Sequence, residues 1–283
     1  MQSLMLTDSR GDVVLTASSR ELDPNREYWL NGDIKGWVGG YTMRGENQER
    51  AGHGSFPTTR TRSPRTLELP LRVHAESWEA ANVEKRRLSA LLADGESATL
   101  RVEESGVPAL EAVVERTGEI LPSRVSPSTF GLSVPLTAPD PVLYGDERVT
   151  FLHPIGTGIG LRYPLFSPAG VLNYGTGITS NDPVFNGGNV EAWPTYLVVG
   201  DFPGGARITV AGRTVEWPWP INRGAPLEVR MAGSVWIGGT NVTHRATVRQ
   251  WSSIPPGGSV SPDFSPLQGG DGWCEVHHRD TYM

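Results

Sequence analysis

The segment "RTLELPLRVHA" constrains the fold more than any other, because it alternates without a break. Leu67, Leu69, Leu71 and Val73 fall on one face, and Glu68, Pro70, Arg72 and His74 on the other. A period of two residues is that of a half-buried strand. Pro70 has no N–H to give and places that strand near a sheet edge. The same alternation returns in "TFGLSVPLTAPDP" through Phe130, Leu132, Val134 and Leu136. Gly and Pro, 34 and 23 residues, are together about a fifth of the chain and well above average usage, which calls for many short strands and turns.

The rest of the chain follows suit. "SLMLTDSRGDVVLTAS" has two apolar runs around a turn and reads as an opening hairpin. "RGENQERAGHGSFPTTRTRSPR" is too long and too polar for an ordinary connection and reads as a functional or assembly loop. One helix is expected: Ser77 caps "WEAANVEKRRLSALLADG", Ala81, Leu88, Leu91 and Leu92 share a face, and Gly95 is the stop. "ATLRVE" and "LEAVVERTGEI" pair as a hairpin. From Val142 onward helical spacing disappears, and short apolar runs from "VTFLHPIG" and "YPLFSPAG" to "HRATVRQWSSI" are separated by Gly or Pro. A chain of 283 residues suits two domains. The fold class is mainly β: residues 1–145 form a β-sandwich or split-barrel-like domain with one helix, and 146–283 an antiparallel β-sandwich.

Charge and composition exclude several functions. A net charge of −6 argues against a nucleic-acid-binding surface over the whole molecule. The lone cysteine, Cys274, has no internal disulfide partner. The start reaches charge at Asp8 and Arg10 before a signal-length apolar segment forms, and no run approaches the roughly 20 apolar residues of a membrane span. The expectation is a protein made in a cytoplasm and inserted in no membrane.

Chemistry-bearing motifs are few. "GTGIG" at 156–160 lacks the helix that would aim its N–H groups at a phosphate, since two prolines follow. "CEVHH" holds competent metal ligands, but a strand sends Cys274 and His278 to one side and Glu275 and His277 to the other. No GxSxG elbow occurs, and Glu191 with Glu216 is the nearest approach to an acid and base pair. No catalytic, cofactor or metal-binding residue is therefore assigned. "NVT" at Asn241 matches a glycosylation sequon, inert without secretion. Among the tryptophans, Trp236 and Trp251 lie in apolar strands and are expected to be buried. Trp217 and Trp219 alternate with prolines in "EWPWP" and are the candidate glycan contact. Arg60, Arg62 and Arg65 form a basic knot in an acidic chain and are the candidate subunit contact.

The order of these parts resembles the distal tail proteins of long-tailed phages, also called minor tail proteins. The resemblance rests on "APDP" with a following Tyr at 138–144, on "NGGNVEAWPTYLVVG" at 186–200, and on "PPGG" at 255–258. It implies a galectin-like sandwich in the second domain, where "NGGNVEAWP" is an entry turn. The first domain would form a hexameric ring, joining the tail-tube protein to the baseplate hub and receptor-binding parts while DNA passes through. It further implies a virion tail-tip location, no cofactor and no sequence-specific nucleic-acid binding. Arg230 departs from the acidic residue frequent in relatives. The structural reading competes with a carbohydrate-binding adhesion module using Trp217 and Trp219, and with a glycan-cleaving enzyme using Glu191 and Glu216.

Overall fold

The computed structural model describes residues 2–19, 28–154, 160–162, 171–173 and 181–283. The glycine run at 156–160, apart from Gly160, and the strand expected over 163–170 lie outside the described residues. The chain divides into two compact units, Met1–Gly145 with Met283, and Asp146–Tyr282.

Seven strands build the barrel of the first unit: β1 (Gln2–Asp8), β2 (Val13–Ser18), β3 (Tyr28–Leu30), β4 (Arg65–His74), β5 (Ser97–Glu104), β6 (Leu110–Arg116) and β7 (Thr129–Ala138). They pair in the order β7-β4-β3-β2-β1-β5-β6, and β6 returns to β7 at Glu115↔Thr137, so the sheet is a closed barrel. Closure follows from the alternation in the sequence. The register sets Leu6 opposite Leu15 and Leu100, and Leu69 opposite Val134, so one face of every long strand turns inward. Leu6, Leu69, Leu100, Val114, Phe130 and Leu136 are fully buried, each contributing about 1.5–3 kcal/mol by leaving water.

The strand containing Pro70 is interior to this barrel rather than at its edge. It pairs with β7 along its whole length and with β3 over three residues. The Pro70 carbonyl accepts from Asn31 N at 2.9 Å, just past the end of β3. A residue's N and C=O point the same way in an antiparallel strand, so the missing N–H faces Asn31, and proline costs the ladder one bond just beyond the regular end of β3.

The helix, α1, is shorter than its pattern, spanning Trp78–Ser89. Ser77 caps it through a bond from Ala80 N to Oγ at 3.1 Å. It stops before Gly95 because the Arg116 guanidinium takes the carbonyls of Ser89 and Leu91 at 2.7 and 3.1 Å, and the chain then turns with Leu92 at φ 50°. Glu84 and Arg87 both bind the Tyr28 hydroxyl and tie the helix to β3. Burial, aided by Glu84, pushes the Tyr28 hydroxyl up to about 12.

Two antiparallel sheets enclose the core of the second unit. The larger runs β8 (Arg148–Leu152), β17 (Asp271–His278), β9 (Thr195–Asp201), β12 (Leu227–Arg230), β13 (Ser234–Ile237) and β14 (Thr240–Asn241). The smaller runs β15 (Val248–Arg249), β11 (Arg213–Trp217), β10 (Ala206–Val210) and β16 (Asp263–Pro266). Tyr196, Val198, Cys274 and Val276 of the larger sheet share one hydrophobic cluster with Ile208, Val215, Trp217 and Phe264 of the smaller. Within it, Phe202 and Phe264 meet edge to face at 5.4 Å. The Phe202 ring occupies space that side chains at Gly200 and Gly272, a cross-strand pair, would otherwise need.

Candidate functional site

The stretch that looks most like a binding loop, 186–200, is an internal clasp. Asn186 is fully buried; its Nδ2 donates to Val190 O at 2.7 Å, and its Oδ1 accepts from Gly188 N at 3.0 Å and Thr281 N at 3.2 Å. Asp280 accepts from Gly187 N at 2.6 Å and pairs with Arg148. Gly188 comes so close to Thr281 that a Cβ would strike that residue's backbone carbonyl. The polar groups here are satisfied by the fold's own chain end and have little left for a ligand.

The arginine-rich segment is a β-ribbon rather than a loop. Met43–Arg44 pairs with Thr61–Arg62, and Gln48–Glu49 with Ser55–Phe56. No residue from 42 to 62 is buried, and the ribbon holds itself together through Arg50 over the Phe56 ring at 4.5 Å and Thr58 Oγ1 donating to Glu46 O at 2.8 Å. Met43 and Phe56 are half exposed beside the exposed Arg44, Arg60 and Arg62.

Arg65 does not belong with its two neighbours. It begins β4, is wholly buried, and its guanidinium donates to Pro141 O at 2.7 and 2.9 Å, Gly36 O at 3.1 Å and Trp37 O at 2.5 Å. Burial pulls its pKa below the ordinary arginine value. The subunit contact expected of all three arginines can apply only to Arg60 and Arg62, because Arg65 is spent on carbonyls inside its own unit. The alternation of β4 carried this signal: Arg65 is in phase with Leu67, Leu69 and Leu71.

The tryptophans also sort differently from their sequence context. Trp217, expected at the surface, is 2% exposed, because β11 alternates and Val215 and Trp217 share its inward face. Trp219 is 45% exposed, but its Nε1 donates to Arg245 O at 3.1 Å and the Arg245 guanidinium lies 4.9 Å from its ring centre. As a pair they offer no open aromatic face for a sugar. Trp236 and Trp251, expected in the core, are only half-buried. Trp251 instead lines an open cleft of about 580 Å3 with Trp193, Gly212, Arg213 and Gln250. Sequence reasoning missed this cleft, although Trp193 and Thr195 fall out of phase with the buried Tyr196 and Val198.

The remaining candidates are structural. Cys274 and His278 face inward while Glu275 and His277 face outward, as the strand period requires. Burial pushes the Cys274 thiol up. His277 lies between Glu147 at 3.0 Å and Glu275 at 3.3 Å. Among the described residues no group of three or more His, Cys, Asp or Glu side chains is placed to hold a metal. Glu216 pairs with Arg207 at 2.7 Å, which holds its carboxyl below the usual range, the opposite of what a general acid requires. Glu191 is exposed.

No protein-family model matches the chain, and no curated protein matches it. Solved structures do, and they define a class of fold, that of phage baseplate proteins. A chain of the phage P2 baseplate in its activated conformation with Ca is similar at TM-score 0.50 and 12% identity, over 99% of this chain and 97% of that one. The Dit protein of phage SPP1, a paradigm of the hub adsorption apparatus in Gram-positive-infecting phages, is similar at TM-score 0.60 and 12% identity over 99% of both chains. The chain has the Dit fold from end to end.

Proposed function

We propose that this chain is a structural protein of a phage tail tip. Six copies form a ring that joins the tail-tube protein to the baseplate hub and its receptor-binding parts and leaves a channel for DNA. The observation that carries the proposal is the extent of the likeness: the Dit fold accounts for both units of the chain, not for one domain that could serve elsewhere. In this reading 1–145 is the ring-forming part and 146–283 a galectin-like sandwich, and a net charge of −6 suits a lumen along which DNA slides without sticking.

The geometry of the first unit supports a particular way of making the ring. A closed barrel offers neighbours no free strand edge, so subunit contacts fall to appendages and outer faces. The ribbon at 42–62 supplies half-exposed apolar groups and arginines that no core uses. On the outer wall, Val13, Thr7, Thr99 and Val113 follow one another across β2, β1, β5 and β6 as an uncharged row, with Val13 54% and Val113 56% exposed. A ribbon in one place and an uncharged row in another suit the head-to-tail contacts of a cyclic ring. Negative-stain images of the concentrated protein should show six-fold rings with a central hole. Particles that stay monomeric, alone and with a tail-tube protein and hub from the same phage, would overturn the proposal.

A further inference from the structure

We infer that the cleft between Trp193 and Trp251 is a saccharide-binding site. The unit Asp146–Tyr282 contains six tryptophans. Four carry an arginine against the ring: Arg245 serves Trp217 and Trp219, Arg230 serves Trp236 at 4.9 Å, and Arg223 serves Trp273 at 5.8 Å. Trp193 and Trp251 have no such cover among the described residues, and these two share one cleft. Trp193 is 48% exposed. Its volume, about 580 Å3, is that of a small-molecule site.

The polar groups of the cleft are held in place by the backbone. Arg213 donates through Nη1 to Trp251 O at 2.9 Å, which tethers the guanidinium to the Trp251 backbone and leaves its other N–H groups available. Gln250 accepts from Thr214 N through Oε1 at 3.0 Å, and its own backbone N donates to Thr214 O at 3.0 Å. That double tie orients the amide so that its NH2 group is what remains to offer. The wall therefore combines two indoles that no cation covers with tethered donors, and has no carboxylate among its lining residues. A pyranose ring has the matching chemistry: an apolar C–H face to lie on an indole, and ring and hydroxyl oxygens to accept from guanidinium and amide. A cationic ligand would meet Arg213, and a purely apolar one would strand both donors.

The test uses the full-length chain on a broad glycan array, followed by calorimetric titration of the best-retained oligosaccharide. The expected result is retention of at least one neutral or acidic saccharide, with Trp193→Ala and Arg213→Ala each weakening the titrated affinity about tenfold or more. Trp219→Phe, at the covered tryptophan, should leave it unchanged. Trp193 is half exposed, so its loss should not move the melting temperature, which separates a binding defect from unfolding. If the wild-type chain retains no saccharide, or if retention survives Trp193→Ala and Arg213→Ala, the inference is wrong. Neither result bears on ring formation.

Discussion

The ribbon at 42–62 and the clasp at 186–200 look alike as sequence, each glycine-bearing and set between strand patterns, yet the fold uses them in opposite ways. In the clasp, backbone and side-chain groups find partners within the unit, centred on the buried Asn186. In the ribbon no residue is buried and bonding is almost wholly across its own two strands. What separates them is where the hydrogen bonds go. A loop whose polar groups are consumed internally stabilises the fold, while one that remains open to solvent is available to a neighbour.

The contrast can be broken most severely at Gly188. Gly188→Ala forces a Cβ against the Thr281 carbonyl, and the expected cost is about 3–5 kcal/mol, read as loss of the native baseline in urea unfolding. A well-folded Gly188→Ala chain would mean that the clasp yields easily and is no anchor. Arg65→Met comes next. It leaves the carbonyls of Pro141, Gly36 and Trp37 without their donor, at about 2–4 kcal/mol by chemical denaturation. A neutral result would return Arg65 to the company of Arg60 and Arg62.

A smaller effect is expected at His278. Burial holds its pKa below the ordinary histidine value, so the folded state keeps the ring neutral while the unfolded chain takes up a proton. Its contribution is complete above the unfolded value near 6.5 and declines as pH falls from there toward the folded value. His278→Gln should flatten the stability profile in that window; a profile as steep as the wild type's would assign the acid sensitivity elsewhere. Smallest of all on stability is the ribbon. Removing residues 45–59 with a short Gly-Ser link, or reversing charge with Arg60→Glu and Arg62→Glu, should change unfolding free energy by no more than about 0.5 kcal/mol. The same changes should abolish ring formation in light scattering. A destabilised monomer, or an intact ring, would place the ribbon with the clasp after all.

Much of the fold was legible because its strands alternate. The opening hairpin, the faces of β4 and β7 and the split of "CEVHH" all follow from a period of two. Closure of the barrel was not legible, since it depends on β6 meeting β7 through only Glu115↔Thr137 and Arg116↔Leu136. The early end of α1 depended on Arg116, a residue distant in sequence that takes its last carbonyls. At the tryptophans phase decides burial and local composition does not. Prolines around Trp217 suggested exposure, but its alternation with Val215 put it inside. The cleft at Trp193 required knowing that Gln250 and Arg213 arrive from β11 and its neighbour, which only the sheet register supplies.

The Phe202 ring set over Gly200 and Gly272 has a consequence for how the larger sheet assembles. The two glycines come from strands about seventy residues apart in sequence, a pairing that the chain reaches late and could reach wrongly. Slipping β9 against β17 by two residues would part the two glycines and set a side chain opposite at least one of them, Val198 opposite Gly272 in one sense and Cys274 opposite Gly200 in the other, beside the volume the ring holds. The aromatic ring thus acts as a proofreader of strand alignment, letting the sheet close only when two absent side chains coincide. A Phe202→Ala chain should show mixed protection along β9 in hydrogen exchange, and uniform protection would assign that task to other contacts.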